Sequence, residues 1–138
     1  MTFPSAHGFD EHVGELQLWV TAPSETEVFA EALRALAEVL AEESAPEGPA
    51  DAERAITLDA ADRAVLLADW IAELAFLAET EGFVPDAVEL MELGPTGVSA
   101  RVRGRTGRPP HLVKAVTYHD LRFEPVPGGW RAQVVMDV

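Results

Sequence analysis

The chain of 138 residues contains no cysteine, which excludes a disulfide framework and any thiolate metal site. It has no apolar run approaching the roughly 20 residues that a membrane-spanning helix needs. Its opening residues, MTFPSAHGFDEH, lack the basic-then-apolar order of a secretory signal, and the expected location is the cytoplasm, away from membranes. Chemical signatures are equally scarce. No G-x-x-x-x-G-K-[ST] phosphate loop, G-x-G-x-x-G, H-E-x-x-H or G-x-S-x-G occurs, so the common nucleotide, zinc-protease and serine-hydrolase motifs are absent. The four histidines, His7, His12, His111 and His119, stand apart with no zinc-ligand spacing.

Basic residues are few, ten against 24 acids, for a net charge of −14. They are also unevenly placed: residues 1–100 hold 21 of the acids and three of the bases, and residues 101–138 hold seven bases and three acids. A field this negative repels phosphate, so strong direct nucleic-acid binding is not expected, and a basic protein is the better-matched partner. The basic tail leaves room for a local RNA contact. With 48% hydrophobic residues, the length suits one domain, residues 1–138, with its own core.

What is present reads as alternating strand and helix, then strands. His12–Val20 alternates from Leu16 and reads as a strand. Ser24 and Glu27 fit a capping box, and Val28, Phe29, Ala32, Leu33, Leu36, Val39 and Leu40 follow at helical spacing, so a helix is expected from about Glu25 to about Glu42. Glu43–Glu53, with Pro46, Gly48 and Pro49, reads as a linking loop, and Ala55–Asp59 as a short strand. Asp59 or Asp62 can cap a second helix that runs to about Thr80 and ends at Gly82. Apolar residues occupy most of its circumference, so it should be the more deeply buried. Ala87–Leu93, Gly97–Arg105, Leu112–Glu124 and Trp130–Val138 read as strands, with a hairpin turn at Pro127-Gly128-Gly129. The fold class expected is α+β: a single two-layer domain, two helices on a mostly antiparallel sheet of about six strands.

Two acids stand out. Glu15 sits inside the first strand and Asp137 ends an apolar one beside Val138. If those strands pair, Glu15, Asp137 and the Val138 carboxylate converge and repel unless a cation lies between them. All-oxygen donors favour Ca²⁺ or Mg²⁺ over zinc. The simpler reading is that Glu15 and Asp137 are solvent-facing strand residues. Lys114 is the only lysine beside nine arginines, consistent with a need for a compact ammonium or with chance. Tyr118, the only tyrosine, suits a half-buried strand position with its hydroxyl bonded.

These landmarks together resemble the archease family. The segment Val113-Lys114-Ala115-Val116-Thr117-Tyr118-His119, then Leu121, Gly129-Trp130 and Val134-Val135-Met136-Asp137-Val138, is similar to the family's V-K-A-[VI]-T-Y-[HS] segment, hairpin and apolar-Asp-Ile/Val ending. Glu11-His12…Glu15 and Glu79-Thr80-Glu81-Gly82 extend the likeness over nearly the whole chain. The resemblance implies a non-catalytic, divalent-cation-binding activator of an RtcB-type RNA ligase, which promotes the ligase's guanylylation from GTP and its multiple turnover in tRNA splicing. Carried over residue by residue, the implied cation ligands fall on Glu15, Asp137 and Val138, and Lys114 falls on the family's lysine; His12, Tyr118 and His119 lie in the matching segments. The family's H-T-A-D appears here as His12-Val13-Gly14-Glu15. Glutamate keeps the charge but moves the carboxylate outward by about an ångström or more, and the threonine hydroxyl is lost.

Two other classes stay open beside that implication. One is a divergent small enzyme using Lys114, His119 and the acids for acid–base work, although no nucleophile is paired with a base. The other is a general chaperone-like interaction module whose acidic helix faces make the contacts.

Overall fold

The computed structural model describes residues 3–41 and 48–138. In chain order the elements are β1 (Ala6–His12), β2 (Glu15–Ala22), α1 (Glu25–Ala41), β3 (Ala52–Asp59), α2 (Arg63–Glu81), β4 (Phe83–Leu93), β5 (Gly97–Thr106), β6 (Ala115–Val126) and β7 (Gly129–Asp137). The fold is α+β with two helices and antiparallel strands, as expected. The strands number seven rather than about six, and they form two sheets, ordered β1-β2-β7-β6 and β3-β5-β4.

The helices start and stop where local chemistry directs. The Ser24 hydroxyl accepts from the Glu27 N–H at 3.2 Å, which satisfies one of the orphan donors of the first turn. Of the two capping candidates for α2, Asp62 does the work, accepting from the Val65 N–H at 3.0 Å. At the other end Gly82 adopts φ 63° and donates to the Leu77 carbonyl, a left-handed cap that glycine reaches without steric cost. The expected helix end at Glu42 and the first part of the expected Glu43–Glu53 loop fall outside the described residues, and β3 begins at Ala52, three residues earlier than expected.

Strand alternation fixes what lies inside. Leu16, Leu18 and Val20 of β2 are buried and stand opposite Met136, Val134 and Ala132 of β7, also buried. In β5, Val98, Ala100 and Val102 are buried while Ser99, Arg101 and Arg103 face solvent. Both sheets and both helices contribute to one hydrophobic cluster. Trp70 of α2 is fully buried at its centre and donates its indole N–H to the Phe29 carbonyl of α1 at 3.0 Å. That bond satisfies the one polar atom of a side chain whose burial stabilises by about 1.5–3 kcal/mol or more. α1 packs most closely along β4, and α2 along β6, each an outer strand of its sheet.

The extra strand has a physical explanation. His12–Val20 looks continuous in sequence, but a two-residue turn at Val13-Gly14 breaks it, with Gly14 at φ 76°. Residues Ala6–His12, which are mostly polar and include a glycine, form β1 because they pair with β2. Gly8 is required there: a Cβ at that position would lie 2.2 Å from the Trp19 ring.

Candidate functional site

The condition posed for the carboxylates is met, because the strands carrying them pair. Glu15 opens β2 and stands directly opposite Asp137 of β7, which in turn faces Ala115 of β6. Directly opposed residues of an antiparallel pair share a face, with Cβ atoms about 4.5–5.5 Å apart. Two main-chain bonds hold this end in place. The Lys114 N–H donates to the Asp137 carbonyl at 2.8 Å, and the Val138 N–H donates to the Gly14 carbonyl at 3.1 Å. Glu15, Lys114 and Val138 are exposed and Asp137 is partly so. His12 faces Glu15 across the β1–β2 turn. Glu15, Asp137, Val138, Lys114 and His12 therefore gather at one end of the four-stranded sheet.

Beside them lies an open hollow of about 550 Å³. Phe9, Leu16, Val39 and Leu112 give it apolar walls, and Glu11, Glu15 and Glu38 make its rim acidic. Lys114 belongs to a second hollow between the end of α2 and residues 107–114.

Tyr118 and His119 lie elsewhere. The β6–β7 register breaks between Thr117 and Arg122, and within that irregularity Asp120 takes φ 54°, a left-handed conformation unusual outside glycine. The Gln133 side-chain amide donates to the Asp120 carbonyl at 3.0 Å, tying the bulge to β7. Tyr118 turns toward α2 and donates its hydroxyl proton to Asp69. It is 61% exposed, more than the half-buried strand residue expected, because the bulge lifts it off the sheet. The Asp69 carboxylate favours the protonated phenol and raises its pKa above the usual 10. His119 is exposed and lies 3.0 Å from the Asp120 carboxylate.

Sequence reasoning missed a cluster on the other side of the hollow. The two ring nitrogens of His7 each face a carboxylate: Nδ1 is 2.6 Å from Glu31 and Nε2 is 2.6 Å from Glu38. Arg34 also donates to Glu31 through Nε at 2.9 Å. Burial pulls the His7 pKa down, but the bonds and charges of Glu31 and Glu38 outweigh it and leave the value raised. Burial likewise pushes Glu31 up, and His7 with Arg34 more than offsets this, so its pKa is lowered. The one available signal was the spacing of Glu31 and Glu38, seven residues apart and so on one face of a helix; nothing in the sequence pointed to His7 as their partner.

Among the described residues, no three His, Asp or Glu side chains gather closely enough to hold a metal ion by themselves. What the sheet end does carry is two side-chain carboxylates, Glu15 and Asp137, set opposite each other, with Val138 next along the chain.

Comparison with known proteins places the chain as a whole. Residues 8–138 match the model of the Archease protein family (MTH1598/TM1083). The chain is 31% identical to a protein archease from Methanosarcina mazei, over 93% of this chain and 92% of that protein. It is 30% identical to one from Methanopyrus kandleri, over 93% and 96%. The solution structure of Methanobacterium thermoautotrophicum protein 1598 superposes with a TM-score of 0.74 at 26% identity, covering 96% of this chain and 98% of that one. The crystal structure of an archease from Thermotoga maritima, described as a possible chaperone, shares the fold with a TM-score of 0.64 at 19% identity, covering 100% of this chain and 98% of that one. With a family model spanning nearly its whole length and relatives matched over more than nine-tenths of both chains, this chain belongs to the archease family.

Proposed function

We propose that this protein is a non-catalytic activator of an RtcB-type RNA ligase, promoting the ligase's guanylylation and repeated turnover in tRNA splicing or RNA repair. Family membership supports the reading, and the observation that carries it is the register that sets Glu15 opposite Asp137. In this reading Glu15, Asp137 and the Val138 carboxyl group hold Ca²⁺ or Mg²⁺. When bound, such an ion supplies concentrated positive charge for organising phosphate oxygens at the partner's nucleotide site. The chain's own groups do the rest. The Lys114 N–H to Asp137 bond and the Val138 N–H to Gly14 bond fix the backbone of two ligands. Lys114 adds an exposed ammonium next to the same strand end. The acidic body, at −14 overall, favours approach to a basic protein surface and disfavours free RNA.

The test is covalent guanylylation of an RtcB-type ligase from the same source with GTP, alone, with this protein, and with its Asp137→Ala variant. The expected result is acceleration by the wild type and a loss of about tenfold or more in the variant. Acceleration retained by Asp137→Ala would remove the cation from the reading. No acceleration by the wild type would remove the ligase. Calorimetric titration with Ca²⁺ and with Mg²⁺ separately reads whether Glu15, with its longer reach, supports ion binding. A second reading, a general protein-interaction module, draws on the exposed Val13, Phe76, Leu90 and Leu112; it predicts an effect on unrelated clients with no ligase present.

A further inference from the structure

The His7 cluster is not required by the proposed cation site, yet it shares the hollow with it through Glu38. β1 is an edge strand whose only sheet partner among the described residues is β2. His7 joins it to α1, placing an imidazole between two carboxylates at 2.6 Å each. The groups facing the ring are Glu31 and Glu38 from α1, with Arg34 behind Glu31, the Phe9 ring from its own strand at 5.6 Å, and the uncharged Val20 opposite in β2.

This geometry has a protonation requirement. A carboxylate only accepts, so each ring nitrogen must carry a proton to satisfy both contacts. A neutral ring keeps one N–H and turns a lone pair toward the other carboxylate. Losing the proton must therefore break one of the two bonds, and the surroundings decide which. Glu31 is 7% exposed and is held by Arg34 as well as His7. The Glu38 side chain is 60% exposed and has no second partner among the described residues. Releasing Glu31 would leave a buried carboxylate with Arg34 alone and one acceptor site unfilled away from water, whereas releasing Glu38 returns a carboxylate to water. Glu38 is the group that lets go.

We propose that His7 is a proton-operated clasp: the charged ring ties edge strand β1 to α1 through Glu31 and Glu38, and loss of its proton frees the Glu38 carboxylate at the rim of the hollow. The raised pKa of His7 sets the direction: the clasp is closed below the ordinary 6.5 and opens as pH rises through the raised folded value. Opening loosens β1 and leaves an unneutralised anion on the rim that Glu11 and Glu15 already share. The clasp is independent of whether the sheet end binds a cation.

The test follows the full chain from about pH 5 to about pH 9 by NMR, reading the His7 ring nitrogens and the amide-exchange protection of β1. In the wild type, β1 protection should fall in step with the His7 titration. The neutral ring should be the Nδ1–H tautomer, its remaining proton still on Glu31. In Glu38→Gln the carboxamide can rotate to donate to a bare nitrogen, so β1 protection should lose its pH dependence and His7 should titrate lower than in the wild type. Position 38 is exposed, so this variant should fold; a His7→Gln variant gives the permanently uncharged reference. A neutral ring protonated on Nε2, β1 protection that ignores the His7 titration, or a Glu38→Gln profile matching the wild type would each overturn the clasp.

Discussion

Two groups of carboxylates reach the same hollow, one through Glu38 and the other through Glu15, and they are treated in opposite ways. Glu31 and Glu38 are neutralised from within the chain by His7 and Arg34. Glu15 and Asp137 face each other across two strands, and no cationic side chain is paired with either among the described residues. A protein carrying nine arginines and one lysine had the means to compensate both. Internal compensation marks charge used to hold the structure together. Glu15 and Asp137 take no part in such a link among the described residues.

Mutation should separate the two groups by sign. The largest effect is expected from Glu31→Ala, which leaves Arg34 and the half-enclosed His7 without their shared acceptor. A loss of about 2 kcal/mol is expected from the urea midpoint, below the full value for a buried pair because Arg34 stays solvated. A variant as stable as the wild type would erase the distinction between the groups.

A smaller, pH-dependent effect sharpens the same comparison. The raised His7 value means that its stabilisation is complete below the unfolded value of 6.5 and is lost as pH rises through the folded one. The lowered Glu31 value means that its stabilisation is present above 4.5 and is lost as pH falls through its depressed folded value. Together the cluster stabilises most between 4.5 and 6.5. In urea titrations across pH, His7→Gln should lose the alkaline limb of this dependence while keeping the general acid limb contributed by other carboxylates.

The smallest effect should have the opposite sign. Glu15→Gln removes one of two like charges that face each other, so the urea midpoint should rise slightly at low salt. The gain should fade as salt is added. Destabilisation by this substitution would mean that Glu15 has a structural partner after all.

How much of this could be read in advance follows from how local each interaction is. The helices were legible because Ser24, Asp62 and Gly82 act on N–H and C=O groups within a few residues of themselves. The inner faces of β2, β5 and β7 were legible because alternation is a property of each strand alone. β1 was not, since AHGFDEH has little alternation and becomes a strand only by pairing with β2. Nor was the division into two sheets, because strand pattern records burial and not which strand becomes the neighbour. At the site, Glu15, Asp137, Val138, Lys114 and His12 were singled out, and they do come together at one sheet end. Tyr118 and His119 fall in the same motif yet sit apart, because the bulge through Asp120 takes them out of register. The His7 cluster was missed because its bonds cross 24 and 31 residues, beyond the reach of any periodicity.

The sequence by itself determined the α+β class, the helix ends, the apolar faces, the negative charge and the family, all carried by neighbouring residues or by matched motifs. Tertiary structure alone decided which carboxylates were neutralised and which were left bare. Charge compensation depends on distances between groups far apart along the chain, and only folding sets those distances.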